Sequence, residues 1–480
     1  MTALMVQGCS SWAGKSLLTT ALARYFARHG LRVSPFKAMN MANNARVAAG
    51  GEMASAQYLQ ALAAGTTPDV RMNPVLVKPE TETSSQLVLL GRVDPGLSRT
   101  GWRERAAQLW PHIEEAYRSL AAESDLVLIE GAGSPAEFNL WDADVANMRV
   151  AALASAPVLL VADVDRGGAF AHLFGTWSLL PAAERARIGG FVLNKFRGDR
   201  ELLHPGPQEL RRRTGVPVAG VLPWLRHALP DEDGAAPPEP VADPAGTDRP
   251  LVAVIRYPTA SNLDEFKPLE SVARVIWAEE PADLLAARPG EVAGSGLVIL
   301  PGSKFVAGDL AWLRERGFPL ALAEHRRAGG RLLGICGGLQ MLGAAIEDPF
   351  GIDGSAVGLG WLPLRTRFAQ DKITRAAQAR FADLPAPWSA LAGAEVSGYE
   401  IRHGLSTPAR PLAEAIPAGL GYAEGPVLGV YVHGLFQSPA VRAALFGRAG
   451  DASLAATFDL LADAVEEHLD GLLLARLAKA

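Results

Sequence analysis

Cysteine is nearly missing from this chain: among 480 residues there are two, Cys9 and Cys336. Two thiols in separate parts of the sequence make no disulfide framework, so a reducing, cytoplasmic setting is expected. Positive charge is not in excess either, since 46 Lys and Arg stand against 51 Asp and Glu and leave a net charge of -5. Such a balance supplies no broad basic surface and argues against a nucleic-acid partner. Long apolar runs are absent as well. The longest, Val150 to Ala162, is broken by Pro157 and closed by Asp163. A bilayer span needs about 20 residues, so no membrane partner is expected. The opening Ala3-Leu4-Met5-Val6 is apolar but lacks the basic flank of a signal peptide. What is present, 49% hydrophobic and 20% charged residues, describes a globular chain long enough for two or three domains with full cores.

One of the two cysteines stands where chemistry is expected. Leu333-Gly334-Ile335-Cys336-Gly337-Gly338-Leu339-Gln340 reads as a strand that delivers a thiol into a sharp glycine turn, followed by a helix. The N-terminus of such a helix favours the thiolate. Upstream, the strand Val298-Ile299-Leu300 ends in Pro301-Gly302-Ser303, a turn whose backbone N–H groups suit an oxyanion hole, with Gly337 as the second donor. Downstream, Gly429-Val430-Tyr431-Val432 ends in His433. A thiol, a base and an oxyanion turn, each at a strand end, make a covalent catalyst. Together they resemble a class I glutamine amidotransferase domain over residues 251 to 440. That resemblance implies that L-glutamine is the substrate, that Cys336 attacks its amide and that ammonia leaves.

The first half of the chain carries a second site. Ala3 to Val6 reads as a buried strand. Gly8-Cys9-Ser10-Ser11-Trp12-Ala13-Gly14-Lys15-Ser16 follows, then apolar residues at helical spacing. Strand, glycine loop and helix make a phosphate-binding loop. Gly8 and Gly14 shape it, Lys15 reaches the outer phosphates of ATP, and the Ser16 hydroxyl ligates Mg2+. Five residues, not four, separate Gly8 from Gly14, as in the dethiobiotin synthetase-like branch. Cys9 reads as a small loop residue, not a nucleophile. Glu130 closes the strand Asp125 to Ile129 and is the expected second magnesium anchor. Asn194, closing another strand, is expected to read the nucleotide base. Lys37, Asn40, Lys78, Arg92 and Arg166 lie in loops at strand ends, where ligands of such sheets bind.

These runs resemble the cobyric acid synthase family over nearly the whole chain. The matching stretches include the Gly-Lys-Ser loop, Pro35-Phe36-Lys37 with Asn40-Met41, Met72 to Leu76, Glu130 to Glu137, Ala162 to Gly168 and Asn194 to Gly198. Ala38-Met39 and Cys9 depart from the family pattern beside the site. The fold implied is α/β, with two doubly wound domains. A P-loop synthetase domain covers 1–230, a linker 231–250, a flavodoxin-like amidotransferase domain 251–440 and a helical tail 441–480. The resemblance implies ATP- and glutamine-dependent amidation of carboxylates on a corrinoid, with Lys37, Asn40, Lys78, Arg92 and Arg166 as substrate candidates. It leaves a homo-oligomer open. Two alternatives stay open: the sister enzyme that amidates the a and c carboxylates, and a P-loop scaffold carrying a degenerate amidotransferase fold. The usual class I acid, two residues after the histidine, is missing, because Leu435 stands there. The expectation is therefore a Cys336–His433 dyad with little acidic support. Glu400 is the candidate acid, against a competing role at a corrinoid or domain interface.

Overall fold

The computed structural model describes residues 2–80, 84–230, 249–290, 294–451 and 453–479. The chain divides into two compact units: Met1–Ala42, Ala48–Glu232 and Ser453–Ala480 form the first, Asn43–Val47 and Asp233–Ala452 the second. Most of the linker expected at 231–250 lies outside the described residues. Among the described residues no helix is long and apolar enough to cross a membrane.

The first unit is built on six parallel strands. They are β1 (Thr2–Gly8), β2 (Val33–Phe36), β3 (Leu126–Glu130), β4 (Val158–Asp163), β5 (Ile188–Phe196) and β6 (Val218–Pro223), in the order β6-β5-β4-β1-β3-β2. Continuous apolar runs form these strands because helices cover both faces of a parallel sheet; Leu126 to Glu130 is buried throughout. The strand order reverses around β1, which pairs with both β3 and β4. Gly8, Glu130 and Asp163 therefore leave neighbouring strands at one edge, the place where such sheets bind ligands. The helix Lys15–Arg28 follows the loop after β1.

The main sheet of the second unit has seven strands. They are β7 (Leu251–Ile255), β8 (Arg274–Ala278), β9 (Leu297–Leu300), β10 (Arg331–Ile335), then β13 (Ala413–Ile416), β14 (Gly421–Glu424) and β15 (Val427–Val430). Between β10 and β13 a long antiparallel hairpin, β11 (Leu364–Arg380) and β12 (Glu395–Pro408), belongs to a separate four-stranded sheet. The seven-stranded order is β8-β7-β9-β10-β15-β14-β13. The register sets Leu300 against Gly334 and Ile335 against Val430, so three adjacent strand ends release Gly302, Cys336 and His433 at one edge. Close approach requires glycine here: a Cβ on Gly338 would lie 2.0 Å from the Leu300 carbonyl oxygen.

The tail expected at 441–480 is divided: its start, with Leu445 and Phe446, packs in the core of the second unit, and Ser453–Ala480 belongs to the first. In the helix Leu454–His468, Phe458, Leu461 and Val465 share a core with Leu18 and Leu22. At its margin Arg24 pairs with Asp459 at 2.8 Å and Arg28 with Asp463 at 2.5 Å. Leu461 is fully buried, so Leu461→Ala should destabilise the first unit by about 2–5 kcal/mol. Chemical denaturation measures it; a loss below about 1 kcal/mol would mean that the helix contributes little to that core.

Candidate functional site

Cys336 stands between β10 and the short helix Gly337–Leu342 with φ 52° and ψ -103°. A positive φ is uncommon for a residue with a side chain and marks a strained, function-bearing turn. The turn is pinned by Cys336 N–H donating to the Val430 carbonyl at 2.7 Å and by Gln340 N–H donating to the Cys336 carbonyl at 3.1 Å. His433 follows β15 and comes to the same edge as Cys336, whose thiol donates to the Ile401 carbonyl at 3.6 Å. Gly302 and Gly337 line the same place. A Cβ on Gly302 would come 3.0 Å from His433 Cε1, and one on Gly337 2.7 Å from the Ser303 nitrogen. Beneath that turn Asp309 accepts from the Ser303 hydroxyl at 2.6 Å and the Thr259 hydroxyl at 2.7 Å. Burial pushes its carboxyl up to about 6.

The acid behind the histidine is Glu265, not Glu400, so the expected dyad without firm acidic support is corrected. Glu265 is fully buried. Its Oε1 lies 2.9 Å from His433 Nδ1, and its Oε2 accepts from Gly434 N–H at 2.9 Å. Glu400 faces the other way for a simple reason: successive strand residues point to opposite faces. Tyr399 stacks on the His433 ring, with centroids 5.2 Å apart and planes 16° apart. Glu400 next to it therefore meets Arg402, two residues on, at 2.7 Å, and Arg375, its cross-strand partner, at 2.6 Å. Glu265 lay in a visible acidic stretch, Asn262 to Phe266, but 168 residues before His433, beyond any local spacing rule.

Burial on its own would lower the His433 imidazolium, but Glu265 and Cys336 outweigh it and raise its pKa from 6.5 to about 10. A raised folded-state value stabilises the fold fully below about 6.5 and loses that contribution as pH climbs through about 10. His433 should therefore stay protonated at pH 8 in NMR titration. Glu265→Gln should bring its titration down by at least ~1 unit. An unchanged titration would remove Glu265 from the pair.

The first unit gathers the other set. Gly14 holds φ 92° at the start of the helix Lys15–Arg28, a conformation that glycine adopts without cost. Lys15 Nζ donates to the carbonyls of Ser10 and Gly133, each at 3.2 Å. Ser16 Oγ donates to Glu130 Oε1 at 2.8 Å. Gly8 ends β1, and a Cβ there would sit 2.9 Å from the Ser10 carbonyl oxygen. Asn194 is turned under the loop, where its Nδ2 donates to Ala13 O at 3.0 Å. Lys195 Nζ does likewise to Trp12 O at 2.8 Å and pairs with Asp163 at 2.9 Å. Burial pushes the Cys9 thiol up to about 12, away from the thiolate that a nucleophile needs.

Three of the basic and amide candidates are committed inward. Lys37 is 3% exposed and pairs with Glu130 at 2.7 Å. Lys78 pairs with Glu52, both 1% exposed. Asn40 donates to Gln57 Oε1 at 3.0 Å. A buried ammonium requires an acid beside it, and Glu130 and Glu52 supply it to Lys37 and Lys78. Arg92 is exposed; Arg166 is largely exposed and lies 3.6 Å from Asp163. Gln60, which the sequence did not single out, donates to Glu130 Oε2 at 2.5 Å.

Both halves match known family models. Residues 4–233 match the CobQ/CobB/MinD/ParA nucleotide binding domain, and residues 251–441 the CobB/CobQ-like glutamine amidotransferase domain. Among relatives, the cobyric acid synthase of Polaromonas sp. (strain JS666 / ATCC BAA-500) is 53% identical, covering 97% of this chain and 96% of its own. That of Paracidovorax citrulli (strain AAC00-1) is 54% identical, covering 97% of each chain. That of Methylibium petroleiphilum (strain ATCC BAA-1232 / LMG 22953 / PM1) is 51% identical, covering 100% of this chain and 97% of its own.

Proposed function

The chain belongs to the cobyric acid synthase family of glutamine-dependent amidoligases, and from that membership we propose how its two sites share the reaction. Glutamine is opened in the second unit. The Cys336 thiolate attacks the carboxamide carbon, and the oxyanion forms beside Gly302 and Gly337. The protonated His433 gives its proton to the leaving nitrogen, which departs as ammonia. Water then cleaves the thioester to glutamate, with His433 as the base and Glu265 holding its ring. The observation that carries this reading is the strained Cys336 turn beside a histidine whose second nitrogen rests on the buried Glu265.

Ammonia does not displace hydroxide from a carboxylate, so the acceptor is activated in the first unit. The γ-phosphoryl group of ATP passes to a substrate carboxylate oxygen. Ammonia attacks the acyl carbon of the resulting acyl phosphate, and phosphate leaves. Lys15 and the N–H groups of the loop stabilise the phosphoryl charge. Ser16 and Glu130 would hold a magnesium ion: a hydroxyl and a carboxylate converging within 2.8 Å are the hard oxygen donors that ion takes. When bound, it neutralises phosphate charge. The acceptor is adenosylcobyrinic acid a,c-diamide, amidated at its b, d, e and g carboxylates. Lys37, Asn40, Lys78, Arg92 and Arg166 are the candidates to meet these acids, Arg92 and Arg166 from the surface. Mass spectrometry of that diamide incubated with enzyme, ATP, magnesium and glutamine tests the reading; four stepwise exchanges of OH for NH2 are expected, and none would overturn it.

Two variants separate the sites. Cys336→Ala should abolish glutamine-dependent amidation and retain amidation from ammonium chloride, because free ammonia bypasses the thiolate. A folded variant that ammonia does not rescue would make Cys336 structural. Lys15→Ala should lower amidation at least ~10²-fold with either nitrogen source. Near-normal rates with ammonia would take the loop out of the reaction.

A further inference from the structure

The second unit contains a five-residue piece of the N-terminal sequence, Asn43–Val47, whose chain flanks belong to the first unit. That piece is fastened to the turn carrying Glu265. Ala45 N–H donates to Asn262 Oδ1 at 3.0 Å, and Leu263 N–H donates to Asn44 Oδ1 at 3.0 Å. The Arg46 guanidinium, 6% exposed, pairs with Asp264 at 2.7 Å, one residue before Glu265. It also lies 5.9 Å from the centre of the Tyr399 ring, the ring stacked on His433. The Gln437 amide, oriented so that its oxygen faces donors, accepts from both terminal guanidinium nitrogens at 3.0 and 3.1 Å. Arg46 thus joins the residue before Glu265, the plate over His433 and the short helix Leu435–Gln437 just after His433.

The turn needs such a hold. Glu265 sits on a nine-residue 3₁₀ helix, Leu263–Ser271, entered through Asn262 in the left-handed conformation at φ 56°. 3₁₀ segments of more than 3–4 residues are uncommon because their hydrogen bonds are poorly aligned. Left to itself, the turn would not keep a carboxylate within the narrow angles that an imidazole partner demands. We propose that Arg46 is a positioning residue of the glutamine-hydrolysing site, which fixes Glu265 and Tyr399 on two sides of His433 from a segment lying outside the amidotransferase sequence. This rests on the glutaminase reading above. It also means that the residues matching the amidotransferase family model, 251–441, do not hold the whole site.

The full-length chain tests it through Arg46→Met, Arg46→Lys and Asp264→Asn. The groups facing His433 are Glu265, Cys336, Tyr399 and Asn262, with Asp264 and Arg46 behind them. Arg46→Met should lower glutaminase kcat at least ~10-fold, leave KM for glutamine within about twofold, and leave ammonia-dependent amidation within about twofold. The alkaline limb of its glutaminase pH profile should move down by ~1 unit, because a displaced Glu265 no longer holds the imidazolium. Arg46→Lys should recover part of the rate, since it keeps the charge but not the fork. Asp264→Asn should reproduce the Arg46→Met profile, and the double variant should lose little more. An unchanged kcat and pH profile would overturn the proposal, and so would an equal fall in glutamine- and ammonia-dependent rates. If Arg46→Met does not fold, the Arg46→Lys and Asp264→Asn profiles decide by the same criteria. Loss of glutaminase in Cys336→Ala is the separate check on the underlying reading; if that variant still hydrolyses glutamine, the reading fails whatever Arg46 does.

Discussion

Glu265 is a carboxylate with no water to share. It is fully buried, and a charge in that state costs several kcal/mol unless every lone pair finds a donor of its own. His433 supplies one such donor and the Gly434 backbone another. The arrangement binds both ways. The acid is tolerable because the imidazole carries a proton, and the imidazole keeps that proton because the acid is there. Cys336 adds a third party, whose negative form also favours the imidazolium. Much else in the second unit serves this contact. Three strands in register set the reacting groups at one edge, glycines let the turns approach, and the 262–265 turn aims the acid.

The first unit solves a similar problem differently. Glu130 is also fully buried, and it faces Lys37, the Ser16 hydroxyl and the amides of Gln57 and Gln60. A carboxylate held by a lysine and neutral donors keeps a ready charge at the phosphate loop without exposing it to water. Pairing of this kind explains why the basic residues near the loop sort into two groups. Lys37 and Lys78 are enclosed and matched to acids, whereas Arg92 and Arg166 reach outward.

What the sequence made legible was local. The phosphate loop and the cysteine turn announce themselves because strand, turn and helix are contiguous, and because glycine at close approaches admits few substitutes. The first sheet, and β7, β9, β10 and β15 of the second, were readable for the same reason: buried parallel strands are unbroken apolar runs. The tail was legible as helical but not as divided between two cores, since helical spacing says which face is buried and not against what. The acid of the histidine was not legible, since the contact spans 168 residues, and no spacing rule covers it. Glu400 looked closer, yet strand parity turns it away as surely as it turns Tyr399 inward. The acids beside Lys37 and Lys78 were not legible, because a sequence shows charge but not the acid folded against it. Arg46 lay furthest from view, 218 residues before its partner Asp264.

The strain at Cys336 ties these observations together. A non-glycine residue held at positive φ costs on the order of 1–3 kcal/mol and persists only where its surroundings overdetermine it. Here the surroundings are backbone: the Val430 carbonyl on one side, the Gln340 N–H on the other, and glycines at 334, 337 and 338 that no larger residue fits. Backbone contacts of this sort change little with side-chain sequence, so the nucleophile's place is set by the fold itself. The base is set differently. His433 depends on side chains from a 3₁₀ turn, a strand of another sheet and a segment far upstream. A rigid thiol facing a base held by converging side chains gives the chain one part of the site that folding alone secures and another that distant residues can tune.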